Sequence, residues 1–173
     1  AYTSLPLAPH TDNPYRNPVP CIQILHCIEN AVEGGHSTLV DGFTVTEELK
    51  EKYPKYYKIL TEVKVKYQFI DKDVILENWA EMIELDENKN FKQVRFSPRL
   101  DFVPLIDKEK LDAYYKARNK ISEFYNSSKY RIEFKLLSGD LIMMDNYRLL
   151  HGRTSFNANE GNRFLQGCYI DYD

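Results

Sequence analysis

The sequence predicts a mainly β fold, either a β-sandwich or a jelly roll, that carries a helical insertion. Two observations support this class. Short apolar or alternating segments bounded by turn residues occur near both ends of the chain, and helix-like patterns are confined to its middle. With 173 residues, of which 43% are hydrophobic, the chain is long enough to enclose one core. We therefore expect residues 1–173 to form a single domain.

The first part of the chain combines extended segments with turns. Residues 1–20 contain five of the eight prolines and should be extended or looping. The apolar run 21–28 has the length of a strand. A Gly34-Gly35 turn separates it from a second short strand at 37–40.

Two short helices should follow. The pattern Thr44-x-x-Glu47 matches a capping box, which predicts that a helix starts there. Pro54 should break or restart this helix, because proline lacks the backbone N–H that a helix interior needs. The second helix is expected to run to about residue 60.

The middle of the chain continues with β structure and then a long helix. Residues 63–69 alternate between apolar and polar side chains, as in a half-exposed strand. Residues 81–97 resemble a hairpin with its turn at 86–90. The longest helix is predicted at 108–126 with Asp107 as its N-cap, because apolar side chains recur there at helical spacing. The remaining strands are expected at 131–137, 141–144 and 164–170.

Composition excludes several classes of protein. A net charge of −3 and a pI near 5.9 do not suit nucleic-acid binding. No apolar run approaches the ~20 residues of a membrane span, and no signal-peptide pattern opens the chain. Three cysteines without paired spacing favour a reducing, cytoplasmic setting. We expect a small-molecule substrate as the main partner, and these numbers leave a homodimer open.

The most informative pattern is a candidate metal triad. In an extended segment, His10 and Asp12 project to the same side, because strand side chains repeat every two residues. His151 follows two leucines and precedes a glycine, so it is expected near a strand end and facing inward. Two imidazoles and one carboxylate hold non-haem Fe(II) on one face and leave the other face open. The alternative is that both histidines are polar loop residues.

Other constellations are less convincing. Cys21, His26 and Cys27 have the wrong spacing for a zinc knuckle and would point to alternate faces of one strand. His36 follows a glycine turn and is expected at the surface. The sequence contains no nucleophile elbow and no glycine-rich nucleotide motif.

Three further residues extend the iron hypothesis. Arg163 follows His151 by twelve residues in another strand-like segment, and a fixed guanidinium there could grip a dicarboxylate with its bidentate fork. Tyr2 and Tyr169 each lie next to a candidate site segment, and aromatic faces attract quaternary ammonium groups. The alternative is that both rings only pack.

Taken together, the chain resembles the γ-butyrobetaine hydroxylase branch of the taurine-dioxygenase-like Fe(II)/2-oxoglutarate oxygenases. The matching stretches, in the order found in that family, are LAPHTDNP (7–14), QILHC (23–27), GGHS (34–37), VDGF (40–43), GD (139–140), DNYRLLHGR (145–153) and 163–173. They extend over nearly the whole chain and are far more specific than the triad alone.

The resemblance implies a double-stranded β-helix, or jelly roll, with iron bound by His10, Asp12 and His151. It implies that Arg163 binds the distal carboxylate of 2-oxoglutarate, with Ser37 as an additional contact. It also places three residues around the substrate: Tyr2 and Tyr169 near a trimethylammonium group, and Asn13 where the animal enzymes have a tyrosine.

Some positions depart from the family pattern. His36 stands where the family usually has an acid, and Ser97 stands where an asparagine reaches the substrate carboxylate. The N-terminal domain of the family is not part of this chain. We expect a dioxygenase that uses Fe(II), 2-oxoglutarate and O₂ to hydroxylate γ-butyrobetaine to carnitine. The alternatives are a hydroxylase of an aminoalkylphosphonate such as trimethylaminoethylphosphonate, and a partial, non-catalytic jelly roll.

Overall fold

The computed structural model describes residues 3–171. The strands are β1 Leu7–His10, β2 Ile22–Asn30, β3 Ser37–Asp41, β4 Lys64–Asp71, β5 Val74–Glu81, β6 Ile83–Leu85, β7 Phe91–Val94, β8 Arg131–Phe134, β9 Leu141–Asp145, β10 Leu149–Arg153 and β11 Arg163–Ile170. The helices are α1 Gly42–Lys52, α2 Pro54–Glu62 and α3 Lys108–Asn126. The fold is mainly β with helices in the middle of the chain, which confirms the predicted class.

Two antiparallel sheets position the site. One has the strand order β1-β10-β3-β8, and the other has the order β11-β2-β9. Strands from both ends of the chain pair within each sheet, so residues far apart in sequence become neighbours. The hairpins β4-β5 and β6-β7 form two small separate sheets.

The main core lies between the first sheet and the helices. Its fully buried side chains include Leu150 and Val40 from the sheet, Leu49 from α1, and Ile121 and Tyr125 from α3. The apolar face predicted for α3 therefore packs inward, as its helical spacing requires. Because this core is on the helix side of the sheet, the space between the two sheets is free for a site.

Two local expectations were wrong. Helix α1 begins at Gly42 rather than at Thr44, because the carboxylate of Asp41 accepts hydrogen bonds from the backbone N–H groups of Phe43 and Thr44. The predicted capping box with Glu47 is therefore not used. Strand β5 was not predicted, and β10, which was expected to end near His151, continues to Arg153.

The remaining elements were found close to their expected positions. The hairpin in 81–97 is present, with the Asp86 carboxylate accepting from the backbone of Asn88 and Asn90 in its turn. Helix α3 has the predicted bounds and N-cap, since Asp107 accepts from the backbone N–H of Lys110.

Candidate metal centre

Strand register brings the two histidines together. His10 on β1 pairs with His151 on β10, and their ring centroids lie 4.4 Å apart. Gly152 permits this close approach, because a Cβ built there would lie 2.6 Å from the carbonyl oxygen of Leu7. His151 lies in the centre of its strand rather than at its end.

Asp12 lies just beyond β1 and is held through its backbone. The amide side chain of Asn146 accepts from the Asp12 N–H at 2.8 Å and donates to the Asp12 carbonyl at 3.0 Å. It also donates to the carbonyl of Pro20 at 2.8 Å. Asn146 is itself buried, so this clamp fixes the direction in which the Asp12 carboxylate leaves the chain. Sequence reasoning missed this role.

The three candidate ligands converge on one point. Their nearest donor atoms all lie within 4.8 Å of one another. The Nε2 of His10 is 3.4 Å from Oδ1 of Asp12, and the Nε2 of His151 is 3.5 Å from Oδ2. Within residues 3–171, no other group of three histidine, cysteine or acidic side chains meets in this way. The arrangement is what a facial metal site of two imidazoles and a carboxylate needs.

The protonation of these groups favours metal binding. The Nδ1 of His10 is 2.8 Å from the carbonyl oxygen of Ala8, to which it can only donate, and this leaves the lone pair on Nε2. Burial and the neighbouring His10 lower the pKa of His151 to about 4, against the opposing charge of Asp12. His151 is therefore neutral near pH 7.

The Asp12 carboxylate stays ionised in a partly buried position. Burial tends to raise its pKa, but the hydrogen bond and charge of His10, the charge of His151 and the Tyr169 hydroxyl together lower the pKa well below the ordinary value. The Tyr169 hydroxyl donates to Oδ2 at 2.7 Å. The amide of Gln23 donates to the same oxygen at 2.6 Å and lies 3.5 Å from Nε2 of His151. Gln23 was not identified from the sequence, although it begins a stretch that matches the resembled family.

A cavity of about 660 Å³ opens between the two sheets at this triad. Besides the triad and Gln23, its lining includes three of the residues singled out in the sequence, namely Arg163, Ser37 and Tyr169. The fold thus gathers residues from both ends of the chain around one space.

Arg163 lines this cavity, and its guanidinium makes no ion pair with any of the residues 3–171. Its guanidinium carbon lies 5.3 Å from the ring centroid of Phe156, and its Nε is buried without a hydrogen-bond partner in residues 3–171. Gly35 makes room for it, since a Cβ there would lie 3.0 Å from the Arg163 Nε. Burial and the nearby Arg153 lower its pKa, with Cys27 opposing. A cation in this state is suited to an anionic ligand.

Of the three residues expected to contact the substrate, one is found in the cavity lining. Tyr169 lies on the cavity wall and is 46% exposed, so its ring is accessible. Asn13 is adjacent to Asp12 but is not among the described lining residues, and its amide oxygen accepts from the Tyr15 hydroxyl at 2.6 Å. Tyr2 lies outside the described residues.

The residues considered for zinc do not form a metal site. The Cys21 thiol donates to the carbonyl of Ile170, while Cys27 is buried elsewhere on the strand. His36 is part-exposed, and its Nδ1 lies 3.0 Å from Glu133, in agreement with the expected surface position. Among the helices of residues 3–171, none is long and apolar enough to cross a membrane.

Comparison with known proteins agrees with this geometry. The family described as Taurine catabolism dioxygenase TauD, TfdA family matches residues 1–169, and the chain belongs to this family. It is 36% identical to γ-butyrobetaine dioxygenase from Homo sapiens over 178 residues, which cover 100% of this chain and 46% of that protein. It is 34% identical to γ-butyrobetaine dioxygenase from Pseudomonas sp. (strain AK-1), covering 100% of this chain and 45% of the relative.

A solved structure supports the fold. Asparagine oxygenase in complex with Fe(II), 3-hydroxyasparagine and succinate superposes with a TM-score of 0.73 at 17% identity, covering 96% of this chain and 50% of that one. This likeness confirms the predicted jelly-roll fold. The chain spans about half the length of these relatives.

Proposed function

We propose that this chain is the catalytic jelly-roll domain, over residues 1–173, of an Fe(II)- and 2-oxoglutarate-dependent dioxygenase. Its substrate is a small trimethylammonium zwitterion, and γ-butyrobetaine is the leading candidate. One observation carries the proposal: the three convergent ligands, Arg163, which has no ion pair among the described residues, and the exposed ring of Tyr169 all line the same cavity.

The residues present fit iron. His10, Asp12 and His151 would hold the metal, and all three expose donor atoms on the cavity side. Gln23 and Tyr169 orient the carboxylate by donating to its Oδ2, while Ala8 orients the His10 ring. Ligand-orienting hydrogen bonds of this kind are usual around metal sites.

With iron bound, 2-oxoglutarate and O₂ supply the oxidising power to hydroxylate an unactivated C–H bond, as 2-oxoglutarate is converted to succinate and CO₂. The chain contributes binding and orientation. Arg163 would bind the distal carboxylate of 2-oxoglutarate through its two parallel N–H groups, with the Ser37 hydroxyl, which lines the same cavity, as a further donor. The ring of Phe156 packs against the Arg163 guanidinium and restricts its orientation.

Two residues support a trimethylammonium substrate. The ring of Tyr169 is accessible at the cavity, and its hydroxyl is held by the Asp12 carboxylate, which keeps the ring in place. An aromatic face attracts a quaternary ammonium group by about 0.5–2 kcal/mol. Tyr2 is proposed as a second ring of this subsite from the resemblance alone, and Asn13 as a neighbour of it.

The proposal is tested by succinate release from the purified protein with Fe(II), 2-oxoglutarate and a substrate panel. γ-Butyrobetaine should stimulate turnover, and its isostere with tert-butyl in place of trimethylammonium should stimulate much less. Asp12→Ala is the matched inactive control. If no compound stimulates turnover and 2-oxoglutarate does not bind, the chain is a non-catalytic jelly roll. Full activity on taurine with indifference to both trimethylammonium compounds would refute the substrate class alone.

Two Tyr169 variants separate the two roles of this side chain. Tyr169→Phe keeps the ring and removes the hydrogen bond to Asp12, so it should preserve substrate binding. Tyr169→Leu removes the ring as well and should weaken binding by roughly 0.5–2 kcal/mol relative to Tyr169→Phe. Equal affinity in the two variants would show that the ring does not contact the cation.

A second candidate is hydroxylation of a trimethylammonium phosphonate. It is favoured by Ser97 and Arg99, which line a pocket beside His10 where the resembled carboxylate-binding enzymes have an asparagine. Assaying γ-butyrobetaine beside trimethylaminoethylphosphonate separates the two candidates by their kcat/KM.

A further inference from the structure

A rigid turn presents an arginine next to the triad. The turn at 97–100 is closed by the N–H of Leu100 donating to the carbonyl of Ser97 at 3.0 Å. The preceding residue, Phe96, is fastened to Thr11 by two hydrogen bonds: the Thr11 N–H donates to its carbonyl at 2.9 Å, and its own N–H donates to the Thr11 hydroxyl at 3.1 Å. Thr11 lies between His10 and Asp12, so the turn is fixed relative to the candidate metal ligands.

The other end of the turn is fixed too. The N–H of Gln68 on β4 donates to the carbonyl of Leu100 at 3.0 Å. The next residue, Asp101, accepts from Nε of Arg118 on α3 at 2.7 Å, and its side chain is only 7% exposed. Because both ends are held, the position of Arg99 is defined by the scaffold even though its side chain is exposed.

Arg99 borders two spaces that also share Leu7 and His10 as lining residues. It lines the large cavity that contains the triad and Tyr169, and it lines a smaller pocket of about 210 Å³ with His10 and Ser97. Arg163 lines only the large cavity. The site therefore has two arginines, and only Arg99 also lines the smaller pocket next to His10.

Two polar side chains of this pocket, those of Arg99 and Ser97, pair with nothing in the part of the chain that the structure describes. Within residues 3–171, the guanidinium of Arg99 makes no ion pair or hydrogen bond, and neither does the hydroxyl of Ser97, which is 3% exposed. Arg95 differs, since it is buried and its guanidinium pairs with Glu84 at 2.5 Å. Thus Arg99, rather than Arg95, is the guanidinium available to a ligand.

We infer that Arg99 and Ser97 form the subsite that binds the oxyanion of the substrate, a carboxylate or phosphonate at the end opposite its trimethylammonium group. The inference rests on the proposed function and adds to it the residues that select the anionic end. A guanidinium offers several N–H donors to such an oxyanion, and a buried hydroxyl adds one more. The zwitterion is then held at both ends, by Tyr169 and by Arg99.

The test compares Arg99→Gln with Arg131→Gln. Arg131 is a matched control because it is an exposed arginine on β8, paired with Glu133 and absent from both cavity linings. Substrates are γ-butyrobetaine and its methyl ester, which keeps the cation and loses the anionic charge. Arg99→Gln should raise the KM for γ-butyrobetaine by about 10-fold to 100-fold, as expected for a lost charge-assisted hydrogen bond. The KM for the ester and for 2-oxoglutarate should stay unchanged, and Arg131→Gln should match the parent.

Several results would overturn the inference. One is an unchanged KM for γ-butyrobetaine in Arg99→Gln, and another is an equal loss for the ester. If the parent protein turns over no substrate, the proposed function is refuted. The role of Arg99 in binding is then tested by calorimetry with γ-butyrobetaine and with trimethylaminoethylphosphonate. Binding to the parent that is weakened in Arg99→Gln supports it, whereas absent binding or identical affinities refute it. Melting temperatures of both variants should equal that of the parent, since neither side chain is buried.

Discussion

Replacing Arg163 with methionine should abolish stabilisation by 2-oxoglutarate without destabilising the ligand-free protein. The variant keeps an apolar chain of similar length and removes the guanidinium, whose carbon lies 5.3 Å from the Phe156 ring centroid. In the ligand-free protein this guanidinium has no ion pair in residues 3–171, its Nε has no hydrogen-bond partner there, and burial lowers its pKa. Its removal takes away a part-buried charge without an ion pair there, but also its contact with the Phe156 ring, so the melting temperature should change little.

The substitution should lower the binding free energy of 2-oxoglutarate rather than the stability of the ligand-free protein. Removing one partner of a buried charge pair typically costs about 2–5 kcal/mol, which is roughly 30-fold to 5,000-fold in Kd. At 100 times its Kd, a ligand stabilises the folded state by about 2.7 kcal/mol. For a chain of this size that corresponds to a rise of about 5–11 °C in Tm.

The assay is a thermal shift with Mn(II) as a non-reacting metal, with and without 2-oxoglutarate. The parent and the control Arg131→Met should show the full shift, and Arg163→Met should show little or none at the same concentration. Mn(II) alone should stabilise all three proteins equally, because the triad is intact. A 2-oxoglutarate shift in Arg163→Met as large as in the parent would refute the role of this arginine.

Three further predictions concern the support of the triad. Gln23→Ala removes the donor to Asp12 and should weaken metal binding by about 10-fold to 100-fold, measured by competition with a chelator, while an unchanged affinity would assign Gln23 a packing role only. Asn146→Ala leaves the Asp12 N–H and the Pro20 carbonyl without a partner, and the free energy of unfolding in urea should fall by roughly 1–3 kcal/mol. Stability of the metal-free protein should fall as the pH is lowered from 6.5 towards 4, because the unfolded chain protonates His151 before the folded chain does. Above pH 6.5, His151 is neutral in both the folded and the unfolded chain, so this loss of stability is absent. The variant His151→Gln should lack this part of the pH dependence.

The sequence predicted most of the local structure because local patterns determine it. Alternation identified the strand at 63–69, and apolar spacing with an N-cap aspartate identified the helix at 108–126. Local reasoning failed where two residues could serve as the N-cap of the same helix. The Asp41 carboxylate caps the first turn of α1, so Thr44 lies inside the helix. The end of β10 was misjudged, because the sequence placed His151 near a strand end whereas pairing with β1 and β3 continues the strand to Arg153.

The sequence by itself also determined the chemical inventory of the site: two imidazoles, a carboxylate two positions from one of them, and an arginine after the other. Only the tertiary structure decided that these groups meet. The pairing of β1 with β10 brings His10 beside His151 across 141 positions of chain (151 − 10), and no local preference encodes such a pairing. The same holds for the Asn146 clamp, for Gln23 between two ligands and for the turn that presents Arg99. These contacts depend on strand register and on loops closed by distant hydrogen bonds, which are properties of the folded chain as a whole.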